Sequence, residues 1–61
     1  MKIDKFNVVE LKDGNRATII EVKGKNKYFA EIVNAYGITV DTRNISDEEI
    51  SKVIYNKDKK L

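Results

Sequence analysis

The chain has 61 residues, 41 % hydrophobic and 36 % charged, with 12 basic and 10 acidic side chains and a net charge of +2. That length makes one domain with a thin core, burying only about 60 % of the surface its unfolded chain exposes, and the composition fits a folded soluble domain rather than a disordered one. Cys and His are both absent, which excludes disulfides, conventional zinc sites and every nucleophile or base built on those residues.

The N-terminus, Met1-Lys2-Ile3-Asp4-Lys5, carries charge but no apolar stretch, so no secretory signal is expected there. Apolar runs such as Ile19-Ile20 or Tyr28-Phe29-Ala30 are only a few residues long, too short to span a membrane as a helix. A cytoplasmic protein is the expectation. Lys far outnumbers Arg, and Asn and Ile are abundant, a bias of AT-rich genomes that points to a low-GC bacterium or one of its mobile elements.

Phe6–Lys12 is rich in β-branched and aromatic residues and stops at Asp13-Gly14-Asn15. Gly and Asn there tolerate the positive φ of a tight reversal, so a strand followed by a turn is expected. Ala17–Lys23 forms the second strand, and Gly24-Lys25-Asn26-Lys27 punctuates it. Tyr28–Val33 is the third strand, Asn34-Ala35-Tyr36-Gly37 the next turn, and Ile38–Thr42 a fourth strand with period-two alternation. Serial hairpin signals of this kind predict an antiparallel meander.

The pattern changes at Asn44. Ser46 followed by Glu49, with Asp47 and Glu48 between them, is a capping-box arrangement with acidic residues in the first turn. Two continuations compete. One is a helix from Asp47 to about Tyr55, with Ile50, Val53 and Ile54 on one face. The other is a single 3₁₀ turn followed by a short fifth strand over Lys52–Tyr55. The Val53-Ile54-Tyr55 tripeptide and the need to join the edges of so small a meander favour the strand. Residues 57–61 are a polar tail, so one domain over 1–61 with a core of about 5–56 is expected.

Four strands, a helical turn and a closing strand make the plan of a small five-stranded antiparallel SH3-like barrel. The residues in order are Asp13-Gly14-x-x-Ala17-Thr18-Ile19-Ile20-Glu21, Tyr28-x-Ala30-Glu31-Ile32-Val33, Gly37-x-Thr39 and Ile45-x-x-Glu48-Glu49-Ile50-x-x-Val53-Ile54-Tyr55. This series resembles small bacterial domains of the SH3-like fold, and is distantly similar to the KOW segment of ribosomal and transcription-factor domains. The resemblance covers roughly residues 6 to 55. It implies an all-β fold and assigns no functional residue.

Catalysis is poorly supplied. Ser46 sits where a helix cap is wanted, and adjacent acids on one turn point in different directions. Glu10, Glu21 and Glu31 lie on neighbouring strands near Lys12, Lys23 and Lys27, where solvated cross-strand pairs are the ordinary outcome. No catalytic residue, cofactor or metal is expected, and the turns at Gly14 and Gly24 lack phosphate-loop spacing. The chain therefore reads as a non-enzymatic interaction module.

Two surfaces are candidates. Tyr28, Tyr36 and Tyr55 form the first, a site for docking a protein partner or for self-association, since Tyr28 and Phe29 face opposite ways and one of them must leave the core. The second, for RNA or DNA, comprises Lys23, Lys25 and Lys27 at the second hairpin with Arg16 at the first turn. Lys-rich hairpin tips also serve simply to keep edges soluble, and Asp47-Glu48-Glu49 would repel phosphate if it shared that face. A weaker third reading, resting on size and the lack of catalytic groups, is a phage accessory protein that blocks a host machine.

Overall fold

A computed structural model describes residues 2–56. Five strands form one antiparallel sheet: β1 (Val8–Leu11), β2 (Arg16–Gly24), β3 (Lys27–Val33), β4 (Thr39–Ile45) and β5 (Ile50–Tyr55). Their order across the sheet is β4-β3-β2-β1-β5, so the first four make the expected meander and the last returns beside β1. A 3₁₀ turn, Asp47–Glu49, is the only helical element among the described residues and directly precedes β5. The all-β expectation with a helical turn before the fifth strand is met, and the competing helix over 47–55 is replaced by a strand. The polar tail 57–61 lies outside the described residues.

Alternation sorts the side chains between two faces. Val9 and Leu11 of β1, Ala17 and Ile19 of β2, Tyr28, Ala30 and Ile32 of β3, Ile45 of β4 and Ile50 of β5 all turn inward. With Ile3 they form one buried cluster, against which Val53 packs. The opposite face carries Val8, Glu10, Thr18, Phe29, Glu31 and Val33, each partly exposed.

The strand ends differ from the sequence reading for local reasons. β1 begins at Val8 rather than Phe6, because Phe6 takes a left-handed φ of 68° and breaks the strand before Asn7. β4 starts at Thr39 and runs on to Ile45. Ile38 and Val40, the apolar half of its alternation, stay 59 % and 52 % exposed. A register shift between Ile32 and Val33 makes Val40 the extra residue, and Asp41 and Arg43 take the inward positions opposite Ile32 and Ala30. No helix among the described residues is long and apolar enough to cross a membrane.

Candidate interaction surface

The first turn is fixed by its own side chain. Asp13 Oδ1 accepts the Asn15 N–H at 2.9 Å, and Gly14 supplies the φ of 96°. The turn between β3 and β4 is held more tightly. Asn34 Oδ1 accepts the N–H groups of Tyr36 at 2.9 Å and Ile38 at 3.1 Å. The Asn34 carbonyl takes Gly37 N–H, and Asn34 N–H reaches the Ile38 carbonyl, each at 3.0 Å. Gly37 at φ 80° closes the reversal. Tyr36 stands on this braced turn with 88 % of its surface exposed.

Between the two turns, on the outer face of β1 and β2, runs a groove of about 370 Å³. Val8, Val33 and Ala35 give it apolar walls, Thr18 adds a hydroxyl, and Glu10 with Arg16, directly opposite each other across β1 and β2, supplies its charge. Asn34 and Gly37 form the wall on the Tyr36 side. Tyr55 pairs with Val8 across β1 and β5 and is 54 % exposed, so it borders the other side. Two of the three expected tyrosines thus flank one groove.

The third does not. Tyr28 is only 3 % exposed, and its hydroxyl donates to Asp47 Oδ1 at 2.5 Å. Of the adjacent pair, the residue that left the core is Phe29. Tyr28 is therefore corrected from a docking residue to a core residue, its ring among aliphatic side chains and its hydroxyl at the rim. Burial, and secondarily the bond and negative charge of Asp47, push its pKa up to about 12.

The basic candidates are not assembled. Arg16 opens β2, whereas Lys23, Lys25 and Lys27 lie at and beyond its other end. At about 3.3 Å per residue the separation exceeds roughly 20 Å. Lys23 is ion-paired with Glu21 at 3.5 Å. The acidic turn also reaches the same hairpin: Asn26 Nδ2 donates to both Glu48 carboxylate oxygens at 3.2 Å, and its Oδ1 accepts the Asp47 N–H at 2.6 Å. Carboxylates and lysines therefore share one end of the molecule, the arrangement that disfavours phosphate.

That turn is a network in its own right. Ser46 and Glu49 form the expected capping box, with the Glu49 carboxylate accepting Ser46 N–H at 3.0 Å. Arg43 Nη1 donates to Glu49 at 2.8 Å, which is the main cause holding the Glu49 carboxyl below its ordinary range and the Arg43 guanidinium above its own. Glu48 is held low chiefly by a backbone N–H, with Ser46 and Asn26 adding to it. A hollow of about 270 Å³ lies between this turn and Lys12-Asp13, walled by Leu11 and by charges of both signs. Among the described residues, no three acids gather as metal ligands.

Two further features gave no signal in the sequence. Asn7 is wholly buried, and neither atom of its side-chain amide has a partner among the described residues. On β4, Asp41 and Arg43 turn back onto their own strand. Asp41 Oδ1 accepts the Thr42 N–H at 2.8 Å, and Arg43 Nη1 donates to the Asn44 carbonyl at 3.2 Å.

Compared with family models, curated proteins and solved structures, the chain matches none. Its own geometry carries the functional reading.

Proposed function

We propose that the chain is a non-enzymatic interaction module that docks an apolar segment of a protein partner in the outer-face groove between Tyr36 and Tyr55. The observation that carries this is Tyr36, 88 % exposed on a turn braced by four hydrogen bonds beside an apolar-lined groove. An aromatic on a backbone already held in place has only its side-chain rotation to lose on docking, so its contact area converts efficiently into affinity. The strand order and the helical turn before β5 support an SH3-like barrel as the scaffold, and such small barrels carry their binding surfaces on loops and outer faces.

RNA or DNA binding by Lys23, Lys25 and Lys27 has less support, because Arg16 lies at the far end of β2 and the acidic turn is bonded to the hairpin. The test is affinity capture with wild type, Tyr36→Ala, the groove-filling Thr18→Trp and Lys25→Ala. A partner lost with the first two variants and kept by the third supports the groove. Capture indifferent to Tyr36→Ala and Thr18→Trp refutes it.

A further inference from the structure

Both outer strands of the sheet, β4 and β5, present a row of backbone groups with no ladder partner among the described residues. Proteins usually blunt such edges by keeping them short, kinking them or adding Lys or Pro. β5 follows that rule, with Lys52 in it and two register irregularities against β1. β4 has seven residues, no Lys and no Pro; its bulge at Val40 lies near one end, and its inward charges, Asp41 and Arg43, are of opposite sign and so can pair with a second copy.

The hydrogen bonds of β4 show which groups face outward. Thr42 N–H bonds to Asp41 Oδ1 and the Asn44 carbonyl to Arg43 Nη1, so Thr42 and Asn44 present their backbone away from β3. In an antiparallel pair the outward residues of one strand must face the outward residues of the other. Even-numbered positions must therefore oppose even-numbered positions. A two-fold axis through Thr42 satisfies this on the unbulged side of Val40: Thr42 faces Thr42 of the second copy, and Asp41 faces Arg43 twice. Moving the axis by one residue toward the N-terminus sets Asp41 against Asp41, and moving it the other way sets Arg43 against Arg43. The register that pairs unlike charges is also the one that overlaps Thr39–Ile45 from end to end. The bulge at Val40 lies outside its three central residues.

We propose that β4 is a self-complementary edge, and that a second copy of this chain pairs with it antiparallel about Thr42, with each Asp41 against the other copy's Arg43. In the single chain Asp41 and Arg43 are already 3.5 Å apart and occupy the Thr42 and Asn44 backbone groups themselves. On association the local bond at Thr42 N–H exchanges for ladder bonds between the two Thr42 residues, while the charges re-pair across the axis. Arg43 keeps Glu49, since a guanidinium has five donors. The exposed Ile38 and Val40 beside the edge add apolar area to the contact. This inference rests on the reading of the chain as an interaction module, but it uses a different surface from the groove.

Sedimentation over a concentration series tests it. The wild type is expected to show a reversible monomer–dimer equilibrium. Asp41→Lys sets Lys against Arg43 twice and weakens the dimer by more than about tenfold, as juxtaposed like charges do. Arg43→Glu alone does the same, and an equimolar mixture of the two variants restores a heterodimer, because both cross-strand pairs are then unlike. Arg43→Glu also faces Glu49, so circular dichroism checks that it folds. If it does not, Thr42→Pro takes its place: it removes the N–H at the axis without touching the β3 ladder, and it must abolish the dimer. A wild type that stays monomeric up to about millimolar concentration overturns the proposal, as does undiminished association of Asp41→Lys or Thr42→Pro. Tyr36→Ala must leave the dimer intact, so loss of groove capture and loss of the dimer are separate failures.

Discussion

Replacing Asn7 with Leu is expected to stabilise the protein, although Asn7 is among the most deeply buried residues of the fold. Its side chain points inward in the same alternation as Val9 and Leu11, has no solvent exposure, and leaves both Nδ2 and Oδ1 without a partner among the described residues. A buried polar group that has lost its water and found no substitute costs about 1–3 kcal/mol. Leu has the same γ-branching and the same number of side-chain heavy atoms, although its methyl groups are bulkier, so Asn7→Leu removes that cost and adds apolar burial. The backbone bonds Asn7 N–H to the Asp4 carbonyl and Ile19 N–H to the Asn7 carbonyl do not depend on the side chain. The expected gain is about 1–3 kcal/mol, seen in urea as a higher midpoint at unchanged slope and on heating as a Tm raised by at least about 4 °C. Asn7→Ala removes the same polar atoms but leaves a cavity, so it should fall below Leu. A well-folded Asn7→Leu that is less stable than wild type would refute the reasoning and place a buried water on the amide.

Two titrations follow from the acidic turn. The Glu49 carboxyl is held low in the fold mainly by Arg43, so the stability it contributes is present above its unfolded value of 4.5 and is lost as pH falls through the lower folded value. Glu49→Gln should cost about 0.5–1 kcal/mol at neutral pH, a figure discounted because the Arg43–Glu49 side chains are 39 % exposed. It should also flatten the loss of Tm below pH 4.5 in part, with Glu48 supplying the remainder. An unchanged acid slope in this variant contradicts the assignment. For Tyr28 the sign is reversed: its folded pKa of about 12 lies above the ordinary 10.0, so its contribution is complete below 10.0 and disappears as pH rises through 12. Tyr28→Phe should lose about 0.5–1.5 kcal/mol at neutral pH and be less sensitive to alkali between those values. Tyrosinate absorbance of the wild type should include a step near 12 that is missing from Tyr28→Phe, and the absence of that step in the folded wild type would contradict the burial of Tyr28.

Much of the fold was legible because hairpin chemistry is local. Asp13-Gly14-Asn15 and Asn34-Ala35-Tyr36-Gly37 encode their turns through side chains that bond their own backbone and glycines that take positive φ, and the structure uses them that way. Ser46 and Glu49 announced the 3₁₀ turn for the same reason. What the sequence did not disclose depended on contacts distant along the chain. Tyr28 and Phe29 are equivalent to a period-two reading, and only the approach of Asp47, nineteen residues on, gives the Tyr28 hydroxyl a partner at the rim of the core. In β4 the visible alternation favoured Ile38 and Val40 as the buried side, whereas the bulge against Val33 assigns the inner positions to Asp41 and Arg43. Asn7 gave no warning, since Phe6-Asn7-Val8 reads as uninterrupted strand, whereas Phe6 takes a left-handed φ and bonds its N–H to the Ile19 carbonyl, a contact distant along the chain.

The acidic turn assigns the rest of the surface. Each of its three carboxylates is engaged by a different part of the sheet: Asp47 by Tyr28 of β3, Glu48 by Asn26 in the β2–β3 hairpin, and Glu49 by Arg43 of β4. The Glu49 carbonyl also accepts the Lys12 N–H at 2.9 Å, tying in the end of β1. A sheet whose outermost strands do not pair with each other is thus clasped at one end by side chains rather than by a closing ladder. The acids beside the lysine-bearing hairpin are thus committed to the fold, and Lys23 to Glu21. The turn that carries Tyr36 takes no part in this clasp. Its large exposed side chains are Tyr36, Ile38, Val40 and, across the groove, Tyr55, with the charged Arg16 and Asp41 exposed among them. Binding is therefore expected where the clasp is absent, and variants in the clasp should change stability and pH response while leaving docking at Tyr36 intact.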